Sequence, residues 1–240
     1  MLADRLITEP DSARFRADGV LLLEGAGRAF LSSAPGKALA VAASTGPGIR
    51  VTDPGRELLA EVCGPGKLAA LASLLAGEPL RPVRILIFDK TESSNWAVTW
   101  HQDRVLPLRE KRILPGFTRW TSKSGIPHVE PPESLSRRMI SIRVHLDDCG
   151  PANGPLSVIP GSHERGRLTD EQVEAVADRG TPVSYPACAG DILILKTLIV
   201  HASERARLTS RRRVLHIDFA PDDLPQGLDW AFKLDGVLTK

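Results

Sequence analysis

After residue 80 the chain breaks into short runs rich in Val, Ile and Leu, and this constrains its fold more than any other feature. The runs are VRILIFD (83–89), WAVTWH (96–101), MISIRVHL (139–146), LSVI (156–159), ILILKTLIV (192–200) and RRVLHIDFA (212–220), each bounded by Gly, Pro, Asn or Asp. β-branched runs of this length between turn residues read as strands. Six of them predict a mainly β fold with flanking helices, a sandwich or jelly-roll barrel. The 19 Pro and 20 Gly cluster in GPGK, VEPPE, CGPANGP and IPGSH, which suits tight turns better than a helical bundle.

The first 80 residues read differently. Residues 10–19, ending in Asp18-Gly19, predict a helix closed by a glycine cap, and Val20 to Leu23 a strand. Residues 55–62 and 67–76 carry helical spacing. Thr169 and Gln172 form a capping box opening a surface helix over 170–179. The expected organisation is one domain over 1–240, with a helical N-terminal part to about 80 and a barrel over about 81–222.

Composition excludes several classes. With 31 Lys and Arg against 29 Asp and Glu, the formal charge of +2 argues against a nucleic-acid partner or a membrane surface. No stretch reaches the ~18–20 apolar residues of a membrane span, and the N-terminus lacks a signal-peptide core, so a cytoplasmic location is expected. Cys63, Cys149 and Cys188 are odd in number and far apart, as reduced structural cysteines would be. The segment 104–138, however, holds eight basic residues against three acids, a local charge of +5. It contains five prolines and no strand periodicity, and a loop of this length inside a domain is usually a functional lid. Trp120, Lys123 and His128 in this loop are candidate substrate contacts, and the charge predicts a small anionic substrate.

His101-Gln102-Asp103 follows a strand directly. Residues i and i+2 of an extended chain project to one side, so imidazole and carboxylate converge. Two histidines and a carboxylate make the facial triad of non-haem Fe(II) centres. Of the six histidines, His201 ends the apolar run ILILKTLIV and would be delivered from a rigid element. Arg212 lies 11 residues further on, where hairpin geometry would return it beside the metal as a two-pronged carboxylate clamp. Arg211 and Arg213 read as solvated, and His145, His163 and His216 as hydrogen-bonded structural histidines.

Taken together, FRADGVLLLEGAG, ILIFDK, WHQD, VHLDDCGPANGPLSVIPGSHERG, GDILILKTLIVHAS and RRVLHIDFAP resemble the phytanoyl-CoA dioxygenase-like family of Fe(II)- and 2-oxoglutarate-dependent oxygenases, over residues 10–232. The resemblance implies a double-stranded β-helix (cupin-like) core with His101, Asp103 and His201 as iron ligands. It also implies Arg212 as the clamp for the distal carboxylate of 2-oxoglutarate, with Ser203, Gln102 and Leu86 as further co-substrate contacts. Arg143 stands where some members have a tryptophan near the co-substrate, so it approaches 2-oxoglutarate or meets an acidic substrate. The implied reaction is hydroxylation of an unactivated C–H bond with release of succinate and CO2, O2 being the second co-substrate. Related halogenases lack the carboxylate ligand, which Asp103 supplies here. Desaturation, epimerisation or cyclisation on the same iron is the first alternative, and a non-catalytic cupin-like binder the second. Monomer and homodimer are equally consistent with these residues.

Overall fold

A computed structural model describes residues 7–41, 48–207, 210–225 and 227–234. In chain order they form α1 (Glu9–Asp18), β1 (Val20–Leu23), α2 (Arg28–Ser32), α3 (Ala34–Val41), β2 (Gly48–Val51), α4 (Gly55–Cys63), α5 (Leu68–Ala76), β3 (Arg81–Lys90), β4 (Val98–His101), β5 (Leu106–Pro107), β6 (Thr118–Lys123) and β7 (Ile126–Glu130). The chain continues through α6 (Glu133–Arg138), β8 (Ile140–His145), β9 (Leu156–Val158), a 3-10 turn (Ser162–Arg165), α7 (Asp170–Arg179), β10 (Val183–Tyr185), β11 (Ile192–Lys196), β12 (His201–Ser203) and β13 (Arg212–Ala220). Three antiparallel sheets result, in the orders β1-β11-β8-β13-β3-β2, β10-β9-β12-β4 and β5-β7-β6. The six- and four-stranded sheets face each other as a double-stranded β-helix.

Period-two alternation gives the six-stranded sheet two unlike faces. Its outer face carries Ile85, Ile87, Ile142, Val144, Ile194, Leu215, Ile217 and Phe219, packed against Phe15, Phe30, Leu58, Val62, Leu71 and Leu75 of the helices. Its inner face is split. At the β1–β11 end, Val20, Leu193 and Leu195 meet Leu156 and Val158 of the smaller sheet. Along β3, β13 and β8 the inward positions are instead Arg84, Lys90, Ser141, Arg143, His145, Arg212, His216 and Asp218, all buried. The main core therefore lies between sheet and helices, which leaves the barrel interior free for polar chemistry. No single described helix is long and apolar enough to cross a membrane.

Both predicted caps are present: Gly19 adopts φ 73° after α1, and Thr169 with Gln172 closes a capping box on α7. Three expectations are corrected. The segment 104–138 is not a structureless loop; it folds into the three-stranded sheet and α6. Its hairpin turns at Ser124 (φ 53°) and Gly125 (φ 76°), the paired positive φ angles of a type I′ turn, so Ser-Gly was the overlooked signal. The run 192–200 is not one strand: β11 stops at Lys196, and His201 opens β12 in the other sheet. Nor does Arg212 return through a hairpin, because β13 pairs with β3 and β8 in the sheet opposite β12.

Candidate metal centre and co-substrate cavity

Strands β4 and β12 pair with His201 opposite His101, and Asp103 follows two residues past β4. His101 Nδ1 lies 2.8 Å from the Thr99 carbonyl, and His201 Nδ1 3.0 Å from that of Ile199. A ring nitrogen facing a carbonyl must carry the hydrogen, so each Nε2 keeps a free lone pair. The two rings sit 4.2 Å apart between centroids, and His201 Nε2 is 3.7 Å from Asp103 Oδ2. All three ligand atoms lie within 4.8 Å of one another. Burial pushes the His201 pKa down to about 3, so this imidazole is neutral, as a metal ligand must be. Burial opposes ionisation of Asp103, but the Arg84 charge and the neighbouring histidines outweigh it and hold the carboxyl below its usual range. Two imidazoles and a carboxylate on one side fit Fe(II) and leave coordination positions for a chelating keto acid.

Asp103, His216 and Asp218 form a second convergent cluster. Here the Arg84 guanidinium already supplies the positive charge. It donates through Nε to Asp218 and through Nη2 to Asp103 Oδ1 at 3.4 Å. Ser141 Oγ donates to Asp218 Oδ1 at 2.6 Å, and His216 Nε2 lies 2.9 Å from the same oxygen. The result is an ion-pair network that restrains the outer oxygen of Asp103 while the inner one faces the histidines.

A cavity of about 130 Å3 adjoins the three ligands and is lined by both sheets, with Phe88, Arg143 and Arg212 from one and Leu156 and Ser203 from the other. Arg212 Nη1 donates to the Gly154 carbonyl, while its buried Nε has no partner. A side chain on Gly154, at φ 59°, would run into the Glu204 carbonyl, so the NGP turn gives Arg212 its backbone acceptor. Arg143 lies 5.2 Å over the Phe88 ring with its own Nε unpartnered, and burial and the Arg212 charge lower its pKa to about 10. Lys90 Nζ sits 3.2 Å from Ser203 Oγ and 2.7 Å from the Glu204 carbonyl; burial, then Arg212, lower its pKa to about 8. Among the described residues none of these three cations has a carboxylate ion-pair partner, a donor set that fits an anionic co-substrate. A wider groove of about 880 Å3 runs beneath α7 and holds none of the ligand trio.

The structure thus brings His101, Asp103, His201, Arg212, Ser203 and Arg143 to one cavity, with Leu86 on the same inner face of β3. It does not bring Gln102. That side chain points to the other side of the strand, donates to the Gly166 and Leu198 carbonyls at 2.8 and 2.6 Å, and accepts from Leu168 N–H at 2.9 Å. Its amide is saturated by backbone and unavailable to a ligand. Trp120 packs on the hydrophobic cluster of Leu108, Phe117 and Leu135 instead of facing the site. Lys123 and His128 lie outside the cavity wall, His128 beside Arg50 at 3.1 Å and Lys123 on the same side of the hairpin. His145, expected to be hydrogen-bonded, is buried with neither ring nitrogen partnered. His163 and His216 are bonded as expected, to the Arg16 carbonyl and Asp218. Arg211 and Arg213 are not solvated ends but pair with Asp89 and Asp147. Sequence reasoning missed Arg84, Phe88, Lys90 and the cavity-lining Trp96, whose ring centroid lies 5.3 Å from Lys90 Nζ, although Arg84, Leu86, Phe88 and Lys90 alternate on one strand face.

The basic segment is also less charged than its sequence suggested. Arg104, Arg109, Arg112, Arg119, Arg137 and Arg138 all have carboxylate partners, several from outside the segment, such as Asp170, Asp229, Glu78 and Asp223.

This arrangement is that of the Fe(II)- and 2-oxoglutarate-dependent oxygenases. Residues 52–214 match the phytanoyl-CoA dioxygenase (PhyH) family, and the chain belongs to it. The ectoine dioxygenase of Sphingopyxis alaskensis is 27% identical over 177 residues, 67% of this chain and 51% of that protein, so the chain spans about half the length of this curated relative. The structure of EctD from S. alaskensis with 2-oxoglutarate and 5-hydroxyectoine superposes with a TM-score of 0.65 at 22% identity, covering 90% of this chain and 77% of that one. The non-heme alpha ketoglutarate dependent carbocyclase SnoK from nogalamycin biosynthesis gives 0.66 at 17% identity, covering 93% and 87%. The epimerase SnoN from the same biosynthesis gives 0.59 at 19%, covering 99% and 91%. At these identities the likeness is one of fold.

Proposed function

We propose that this chain, as a single domain, is an Fe(II)- and 2-oxoglutarate-dependent hydroxylase of a small anionic metabolite. The reading rests on one observation: His101, Asp103 and His201 converge at a cavity whose far side is Arg212, an arginine without a carboxylate partner among the described residues. His101 and His201 would hold the metal through Nε2, with their Nδ1–H groups tied to backbone carbonyls, and Asp103 through Oδ2. Bound there, Fe(II) and 2-oxoglutarate would supply O2 activation and the oxidation of a C–H bond to C–OH, with succinate and CO2 as the products of the keto acid. Arg212 binds the distal carboxylate, its orientation set by the Gly154 carbonyl. Arg143 and Lys90 add positive charge along the same cavity, and Ser203 bonds to Lys90 at its wall. Phe88, Val98 and Leu156 supply an apolar wall, which lowers the local polarity and strengthens these charge interactions.

Anaerobic reconstitution with Fe(II) and 2-oxoglutarate tests this. A visible metal-to-ligand charge-transfer band is expected, absent in Asp103→Ala and weakened in Arg212→Ala. Its absence from well-loaded protein rejects the assignment. Product mass then separates hydroxylation, which adds an oxygen, from desaturation or ring closure, which removes two hydrogens, and from epimerisation, which changes neither. A non-catalytic binder releases no succinate with any substrate.

A further inference from the structure

The inner face of β3 has a second cationic group, separate from the one around Arg212. Strand β13 runs antiparallel to β3, with Arg212 opposite Lys90 and Asp218 opposite Arg84. Six residues of extended chain separate Lys90 from Arg84, roughly 20 Å. At the Arg84 end, edge strand β2 places Arg50 opposite Leu86, and laterally paired residues share a face. The β6–β7 hairpin covers this end. Thr121 pairs with His128, and Lys123 lies two residues on, hence on the same side.

Arg50 and Arg84 are held in opposite ways. Arg84 is neutralised by two carboxylates, Asp218 and Asp103. Arg50 Nη1 instead lies 3.1 Å from His128 Nε2, while His128 Nδ1 lies 2.9 Å from the Ile126 carbonyl. His128 Nδ1 therefore donates to that carbonyl, and Nε2 accepts from Arg50. His128 is completely buried, and burial lowers its pKa to about 4, so the group that orients Arg50 is uncharged. Lys123 has no carboxylate partner among the described residues either. Partial burial, with the Arg84 charge, lowers the pKa of half-buried Arg50; the same causes and the Arg50 charge lower that of Lys123, which lies on the exposed side of the hairpin within electrostatic reach of Arg50. Two cations at this reach repel each other, and an anion placed between them relieves that repulsion.

We propose that Arg50 and Lys123, with Arg50 oriented by neutral His128, form the receptor for an oxyanion of the substrate, a carboxylate or a phosphate-type group, at the end of the barrel away from Arg212. This rests on the metal-centre reading above, and it adds a site for a second anion distinct from 2-oxoglutarate. An Arg fork suits either oxyanion, and the mobile ammonium of Lys123 supplies a second contact.

The test uses the full chain with Mn(II) in place of Fe(II) and saturating 2-oxoglutarate, so that Arg212 is occupied. Paramagnetic relaxation of methyl protons is followed for acetate, methylphosphonate and neutral acetamide. Saturable relaxation of an anion, but not of acetamide, is expected, and the tighter anion identifies the substrate group as carboxylate or phosphate-type. Arg50→Gln and Lys123→Gln should each weaken that binding several-fold and the double variant tenfold or more, with 2-oxoglutarate still bound, which shows the variants folded. Equal relaxation by acetamide, no relaxation by either anion, or unchanged affinity in the double variant overturns the receptor. Failure of the wild type to bind Mn(II) and 2-oxoglutarate overturns the metal-centre reading and the receptor with it.

Discussion

The two faces of the six-stranded sheet are built from the same strands by the same alternation, yet they do opposite things. On β13, Leu215, Ile217 and Phe219 face the helices, while Arg212, His216 and Asp218 face the barrel. The outer face stabilises the fold by apolar burial. The inner face buries charges, which is costly, and offsets that cost only through partners: Asp218 for Arg84, a proposed co-substrate for Arg212. Stability and chemistry are thus separated by one residue of register.

That separation can be attacked from both sides. The largest effect is expected for Asp103→Ala, which should abolish the charge-transfer band and reduce turnover to background while thermal unfolding stays cooperative, since Arg84 retains Asp218. On the other face, Phe219→Ala should cost about 3–5 kcal/mol in denaturant unfolding. Its 2-oxoglutarate affinity should remain unchanged at temperatures where it is folded. If either variant shows the other's phenotype, the division between faces fails.

The inner face should also show itself in pH dependence. Burial lowers the pKa of His145 from 6.5 to about 4, that of His128 to about 4 and that of His201 to about 3. Each is neutral when folded and takes up a proton on unfolding below 6.5. Metal-free protein should therefore lose stability as pH falls from 6.5 towards 4, by about 3 kcal/mol for His145 alone. His145→Gln should flatten this slope, whereas Ile217→Val on the outer face should lower the whole curve without changing its shape. Arg84→Lys, which keeps the charge but not the two-carboxylate reach, should weaken Fe(II) affinity 10–100-fold, the usual range for partners of metal ligands. The smallest effect concerns Lys90, whose pKa of about 8 reflects burial and Arg212. An anion binding alongside favours its charged form, so 2-oxoglutarate binding near pH 8 should take up a fraction of a proton, read calorimetrically in buffers of different ionisation heat.

Much of this was legible in the chain. The strands β3, β8, β9 and β13, the capping box at Thr169 and the glycine cap at Gly19 are local features, set by neighbours within a few residues. His101 and Asp103 were legible for the same reason, since i and i+2 share a side of any extended segment. The three-stranded sheet over 104–138 was obscured because prolines and charges hide alternation in its short strands, although Leu106, Phe117 and Val129 still bury an apolar face there. Gln102 illustrates the converse. It sits between two ligand candidates in sequence, yet alternation turns it towards the Gly166 and Leu198 carbonyls.

By itself, then, the sequence determined the strand-and-turn character, the helix ends and which residues can ionise, because these depend on backbone preference and side-chain chemistry at short range. Tertiary structure decided which histidine joins His101, that Arg212 reaches the cavity from the opposite sheet, and which cations remain without carboxylate partners. Those outcomes depend on pairings between residues some hundred positions apart. A long-range contact acquires its energy only once the chain has closed around it.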